Sequence, residues 1–201
     1  MHIKIAQKPQ KNLMSSSKEV RIISGQYKGR KLTMNDPAVK PTPDRVRETL
    51  FNWLDPIIHD SNVLDLFAGS GVLGIEALSR GGTHLTLIDS SPNVHRSLEQ
   101  QIESIGICNY TNLCMDAFKF IGSKNKKGSF DIIFIDPPYG SCDLIEIITL
   151  LYKNNWASKT TWVYYETNQS ITTEGQFGCY IYKESRAGKV YYGLIRQTDR
   201  D

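Results

Sequence analysis

A chain of 201 residues with 40% hydrophobic and 10% aromatic content can bury one good core and carry a small appendage. Its 24 basic and 21 acidic residues leave a net charge of +3, so overall charge does not mark a nucleic-acid binder and local clustering has to make that case. No apolar run approaches the ~20 residues that span a bilayer, the opening Met1-His2-Ile3-Lys4 lacks a signal peptide's apolar stretch, and neither Cys108, Cys114, Cys142 and Cys179 nor the four histidines show metal-ligand spacing; a cytoplasmic protein with reduced thiols and no metal is expected.

Residues 1–18 are polar and rich in Ser, Lys and Gln, which predicts a flexible tail. From residue 20 to residue 32 two short β-prone runs bend at Gly25 and Gly29 and read as a basic hairpin. Thr42-Pro43-Asp44 has the form of a helix start, with Thr as N-cap, Pro at the first helical position and an acid in the first turn. That helix is expected to reach Leu54, with Val46, Leu50, Phe51, Trp53 and Leu54 on its apolar face and Arg45, Arg47 and Glu48 on the other. Hairpin and helix make an extension over residues 19–57, and the main domain follows at 58–201.

Beyond residue 61 strands and helices alternate. Strands are predicted over 62–67, 84–89, 110–114 and 131–136, and helices over 72–80, from Ser91-Pro92 to about Ser104, over 117–121 and over 143–154. This βαβ rhythm implies an α/β fold with a doubly wound, mostly parallel sheet covered on both faces. The last runs, 161–167, 179–184 and 190–196, are strand-like and fit an antiparallel hairpin closing the sheet. Cys114 and Cys179 fall in strand-like runs and are expected in the core.

Gly69, Gly71 and Gly74 match GxGxxG between a strand and a helix, and Asp89 ends the next strand where a ribose-binding acid belongs. Dinucleotide enzymes and S-adenosylmethionine enzymes share that turn. Asp65 tips the balance, because a carboxylate there repels a pyrophosphate and attracts a sulfonium or ammonium. Phe67 sits in the same turn, and Asp116 with Ala117-Phe118 is a candidate boundary for an adenine ring. Asp136-Pro137-Pro138-Tyr139 follows the apolar run 130–135. Its prolines hold the chain extended, so the Asp136 carboxylate and nearby carbonyls form a fixed set of acceptors beside one aromatic face, suited to a planar base bearing an amine.

On these residues, together with Leu73-Gly74-Ile75-Glu76-Ala77-Leu78-Ser79-Arg80-Gly81, residues 21–32 and Pro41-Thr42-Pro43-Asp44-Arg45-Val46-Arg47-Glu48-Thr49-Leu50-Phe51-Asn52, the chain resembles the bacterial 16S ribosomal RNA guanine-N2 methyltransferases of the RsmD type. The likeness covers about residues 20–196. Lys40 stands where the family pattern has Arg, and Val72 where it has Ala. The resemblance implies a seven-stranded Rossmann-like class I methyltransferase fold with a small N-terminal extension. It also implies methylation by S-adenosylmethionine of the N2 amine of one guanine in 16S ribosomal RNA, the one usually numbered 966. The RNA is expected in the 30S subunit or an assembly intermediate, and the enzyme as a monomer.

On this reading Asp65, Phe67, Gly69, Gly71, Asp89 and Asp116 bind the cofactor. Asp136, Pro137 and Pro138 hold the amine, with Tyr139 stacked on the base. Lys28, Arg30, Lys31, Lys40, Arg45 and Arg47 are nominated to track RNA phosphates. Glu166 and the segment Arg186-Ala187-Gly188-Lys189 resemble family positions without an assigned role. Rival readings are a DNA amino-methyltransferase acting on adenine N6 or cytosine N4, a nicotinamide oxidoreductase using the glycine turn, and a non-catalytic RNA-binding assembly factor.

Overall fold

A computed structural model describes residues 18–34, 41–138, 142–172 and 178–198, so Lys40, Tyr139 and the predicted tail up to residue 17 lie outside the described residues. Strands β1 (Lys18–Arg21) and β2 (Lys31–Met34) pair antiparallel, with Val20 opposite Leu32. Lys18, assigned to the tail by its polarity, already belongs to this ladder opposite Met34. Helix α1 (Asp44–Leu54) buries Val46, Leu50, Phe51 and Leu54 and leaves Trp53 half-buried, stacked on Tyr192 at 5.7 Å.

Its start differs from expectation. The N-cap is Pro43, with no side-chain capping bond, and the Thr42 hydroxyl points to a different partner, Glu166. Arg47 also departs from the exposed face assigned to it. Its side chain is fully buried, with Nη2 2.7 Å from Asp44 Oδ1 and Nη1 3.3 Å from Glu76 Oε2, so its charge is spent inside the fold.

The remaining elements are β3 (Asn62–Asp65), α2 (Val72–Ser79), β4 (His84–Asp89), α3 (Pro92–Ile105), β5 (Tyr110–Cys114), α4 (Ala117–Ile121), β6 (Ile132–Ile135), α5 (Leu144–Lys153), β7 (Trp162–Thr167), β8 (Cys179–Ala187) and β9 (Val190–Gln197). They build one seven-stranded sheet in the order β5-β4-β3-β6-β7-β9-β8. All pairings from β5 to β7 are parallel, and β9 runs antiparallel between β7 and β8. The closing hairpin thus places its second strand inside the sheet, consistent with burial of Tyr192, Gly193, Leu194 and Ile195 in β9 while β8 is mostly exposed.

Alternation along the strands splits the core in two. Val63, Leu85, Leu87, Ile132, Phe134 and Tyr164 pack with residues of α1, α2 and α3, whereas Leu64, Ile133, Ile135, Val163 and Tyr165 pack with α4 and α5. Val20, Ile22 and Leu32 of the hairpin segment join the first cluster. Cys179 is buried as expected; Cys114 is exposed, because β5 is an edge strand. Chain order reverses between β3 and β6, and in open α/β sheets a crevice forms beyond the strand ends at such a point.

Candidate active site

The crevice is there, a cleft of about 810 Å³ lined by the ends of β3, β4, β6 and β7, the segment following β5, and residues 41–43 ahead of α1. An acid stands at or just beyond the tip of each of these four strands: Asp65, Asp89, Asp136 and Glu166. All four line the cleft.

The glycine turn fixes the first pair. Leu66 N–H donates to the Phe134 carbonyl (3.1 Å) and Ala68 N–H to the Ile88 carbonyl (2.9 Å), so the turn beyond β3 is tied to both neighbouring strands. Gly71 caps α2 in the left-handed region at φ 71°, where a side chain is strained. Gly74 has a packing role: a Cβ there lies 2.6 Å from Leu85 Cδ1 and 3.2 Å from Asp65 Oδ2. Without one, Gly74 N–H reaches Asp65 Oδ2 at 3.1 Å.

Asp65 is 3% exposed. Burial pushes its carboxyl up to about 7, the Gly74 N–H pulls against this, and repulsion from Asp89 adds to it. Asp89 binds the turn to α3, with Oδ2 accepting from Gly69 N–H (2.9 Å) and Oδ1 from Ser91 N–H (2.8 Å). Asp116 lines the cleft and caps α4, accepting from Lys119 N–H at 2.9 Å. Phe67, half-buried, lies beside them with Phe118 and Met115.

Asp136, Pro137 and Pro138 continue β6 into the same cleft. Burial is the largest influence on Asp136 and raises its carboxyl well above the ordinary range. The charges of Glu166 and Asp65 raise it further, and a hydrogen bond with the Thr42 side chain opposes them. Glu166, 4% exposed, is raised by burial too, and the hydrogen bonds from Thr42 and Tyr164 pull it down. Both fall on one oxygen, Glu166 Oε1, at 2.8 Å from Thr42 Oγ1 and 2.9 Å from the Tyr164 hydroxyl.

Neither Thr42, expected as a helix cap, nor Glu166 has an assigned part in the site on the sequence reading. Glu166 carries a legible signal, an acid closing a buried strand as Asp65, Asp89 and Asp136 do. Thr42 is hidden by its second plausible use as a helix cap. The nominated cations divide: Lys28, Arg30, Lys31 and Arg45 are exposed, Lys31 paired with Glu19 at 2.6 Å, while Arg47 is sealed in the core.

The electrostatics suit a particular ligand. Three buried carboxyls held up by desolvation, Asp136 also by the charges of Glu166 and Asp65 and Asp65 by that of Asp89, form a site that a bound cation relaxes, and the half-buried Phe67 and Phe118 offer apolar faces for a ring system. Among the described residues no group of three or more His, Cys, Asp or Glu side chains is placed to hold a metal ion, and no helix is long and apolar enough to cross a membrane.

Residues 20–196 match the family model described as conserved hypothetical protein 95. The ribosomal RNA small subunit methyltransferase D of Escherichia coli strain K12 is 40% identical over 187 residues, which is 91% of this chain and 92% of that protein. Its Haemophilus influenzae namesake is 38% identical over 184 residues, covering 89% of this chain and 94% of that one. A solved putative methyltransferase from Escherichia coli superposes with a TM-score of 0.81 at 38% identity, covering 91% of this chain and all of the other.

Proposed function

The chain belongs to the conserved hypothetical protein 95 family, the family of these small-subunit methyltransferases, and from that premise we propose that it transfers a methyl group from S-adenosylmethionine to the N2 amine of one guanine in 16S ribosomal RNA. The observation that carries this reading is the shared cleft. Asp65 and Asp89 stand on one side of the switch point and Asp136-Pro137-Pro138 on the other, facing a single volume of about 810 Å³. When bound, S-adenosylmethionine supplies an electrophilic methyl on a sulfonium.

The residues then divide the work. Asp65 provides negative charge at the tip of β3. Asp89, held by two backbone N–H groups, keeps lone pairs for ribose hydroxyls, and Asp116 with Phe118 bounds the base of the nucleoside. Asp136 and the Pro137 carbonyl accept the N–H groups of the target amine. An aryl amine's lone pair is conjugated into its ring, and acceptors on both N–H groups favour the pyramidal geometry that frees it. The rest of catalysis is alignment, which supplies effective molarities of order 10⁵–10⁸ M in favourable cases. Tyr139 is assigned to stack on the base once it leaves its RNA neighbours, a movement that costs a few kcal/mol.

The exposed Lys28, Arg30, Lys31 and Arg45, with Lys40, are proposed to track phosphates of the RNA, making residues 19–57 a docking extension. The RNA is proposed to be met by a monomer in the cytoplasm, within the 30S subunit or an assembly intermediate.

The test supplies the purified protein with methyl-tritiated S-adenosylmethionine and, in parallel, 30S particles and naked 16S RNA from cells lacking the gene, or DNA. Label is expected in ribosomal RNA as N2-methylguanosine at one site. Label in DNA with silent ribosomes, or in N6-methyladenosine or N4-methylcytosine, overturns the reading.

A further inference from the structure

Glu166 lines the cleft with one oxygen engaged and one spare. The Thr42 and Tyr164 hydroxyls both donate to Oε1, at 2.8 Å and 2.9 Å, and among the described residues Oε2 has no hydrogen-bond partner. Two donors on one oxygen hold the carboxylate in a single orientation and favour its ionised form against the burial that disfavours it. A cationic cofactor in the same cleft favours ionisation further. Oε2 is then a held, anionic acceptor in a space shared with Asp136, Pro137 and Pro138.

The backbone sets this acceptor beside the amine site. Ile135, the last residue of β6, pairs with Tyr165 of β7, so Asp136 and Glu166 come next along neighbouring strands, whose usual spacing is about 4.8 Å. Ile135 and Tyr165 belong to the side of the core packed on α4 and α5. Alternation turns Asp136 and Glu166 to the opposite face, where Thr42 meets Glu166. Asp65 stands on β3, which flanks β6 on its other side, so the acids assigned to the cofactor leave Glu166 unused.

We propose that Glu166 is the residue that selects guanine, its Oε2 accepting the ring N1–H next to the amine held by Asp136 and Pro137. The assignment rests on the methyl transfer proposed above and says which base that site admits. In guanine one ring neighbour of the amine-bearing carbon is N1–H, a donor. Adenine has N1 and cytosine N3 in the corresponding place, and each presents a lone pair. An ionised carboxylate attracts the first base and repels the other two, and a site built to bind an N–H rejects an analogue that lacks it. Thr42 and Tyr164 act through the carboxylate, as positioning residues.

The test compares two 30S particles that differ only at the methylated position, one with guanine and one with 2-aminopurine. 2-Aminopurine keeps the 2-amine and carries a bare N1. The parent protein is expected to prefer guanine at least about tenfold in kcat/KM. Glu166→Gln keeps an oxygen for the two hydroxyls and puts an NH2 donor in place of Oε2. It should lower kcat/KM for guanine about tenfold or more and leave 2-aminopurine equal or better, so the preference collapses. Activity on 2-aminopurine also reports that the variant is folded. A parent that methylates both RNAs equally well overturns the assignment without any variant, and so does a Glu166→Gln protein that keeps the parent's preference while losing both activities in proportion. A parent inactive on both RNAs refutes the methyl-transfer reading, and the base selection with it.

Discussion

Asp65 is a carboxyl kept out of water; burial pushes it up to about 7 against the backbone N–H groups of Gly74 and Phe67, so near neutrality it is close to half-protonated. A cationic ligand binds the ionised form, so cofactor affinity is expected to fall as pH drops from 7.5 to about 6, below the value near 7 to which burial pushes this group. Asp65→Asn removes the charge, and calorimetry should show binding weakened at least about tenfold, with most of the pH dependence gone. Asp65, Asp89 and Asp136 are legible in the sequence because each is an acid closing an apolar run, and only a strand tip puts such a residue beside a cleft. Arg47 is misread because its partner Glu76 is remote in sequence, and helical periodicity gives a charged residue no reason to turn inward. The stacking proposed for Tyr139 belongs to a position outside the described residues.

The N-terminal elements are held to the methyltransferase sheet by polar bonds as well as by shared core. Glu76 of α2 is wholly buried and accepts N–H groups from Ile23 (2.7 Å) and Ser24 (2.9 Å) while pairing with Arg47 and Arg80. Ser79, one turn on, accepts from Tyr27 N–H at 2.9 Å and donates to the Ser24 carbonyl at 2.5 Å. Glu76→Ala leaves the Arg47 guanidinium buried with Asp44 as its remaining ion-pair partner and should cost about 3–5 kcal/mol in urea unfolding. It should also raise amide exchange at Ile23 and Ser24; unchanged protection there would show that the docking rests on other contacts.

The order and type of these elements followed from periodicity and turn residues. Two features did not. The insertion of β9 between β7 and β8 is a matter of sheet order, which strand patterns do not encode. Exposure of Cys114 follows from the edge position of β5 rather than from its own composition.

Across the whole molecule, the acids proposed to bind at the strand tips carry a cost in stability. Asp65, Asp136 and Glu166 all have carboxyls raised above their unfolded values, so between pH 4 and about 7 these three groups hold more protons in the folded protein than in the unfolded chain. Their contribution is fully present below the unfolded pKa and is lost as pH rises through the folded one. The cofactor-free protein should therefore melt several degrees lower at pH 8 than at pH 5, and S-adenosylmethionine should narrow the gap. A melting temperature that climbs across this window would show that other groups dominate.

One cleft serves both halves of the reaction on this account, with the methyl donor at the tips of β3 and β4 and the amine at the tip of β6. A crystal structure with S-adenosylmethionine and guanosine tests this most directly. The sulfonium is predicted beside Asp65, the guanosine N2 against Asp136, and the methyl carbon about 3–3.5 Å from that nitrogen. Guanosine bound away from Asp136, or with its amine too far from the methyl carbon for in-line attack, would contradict it.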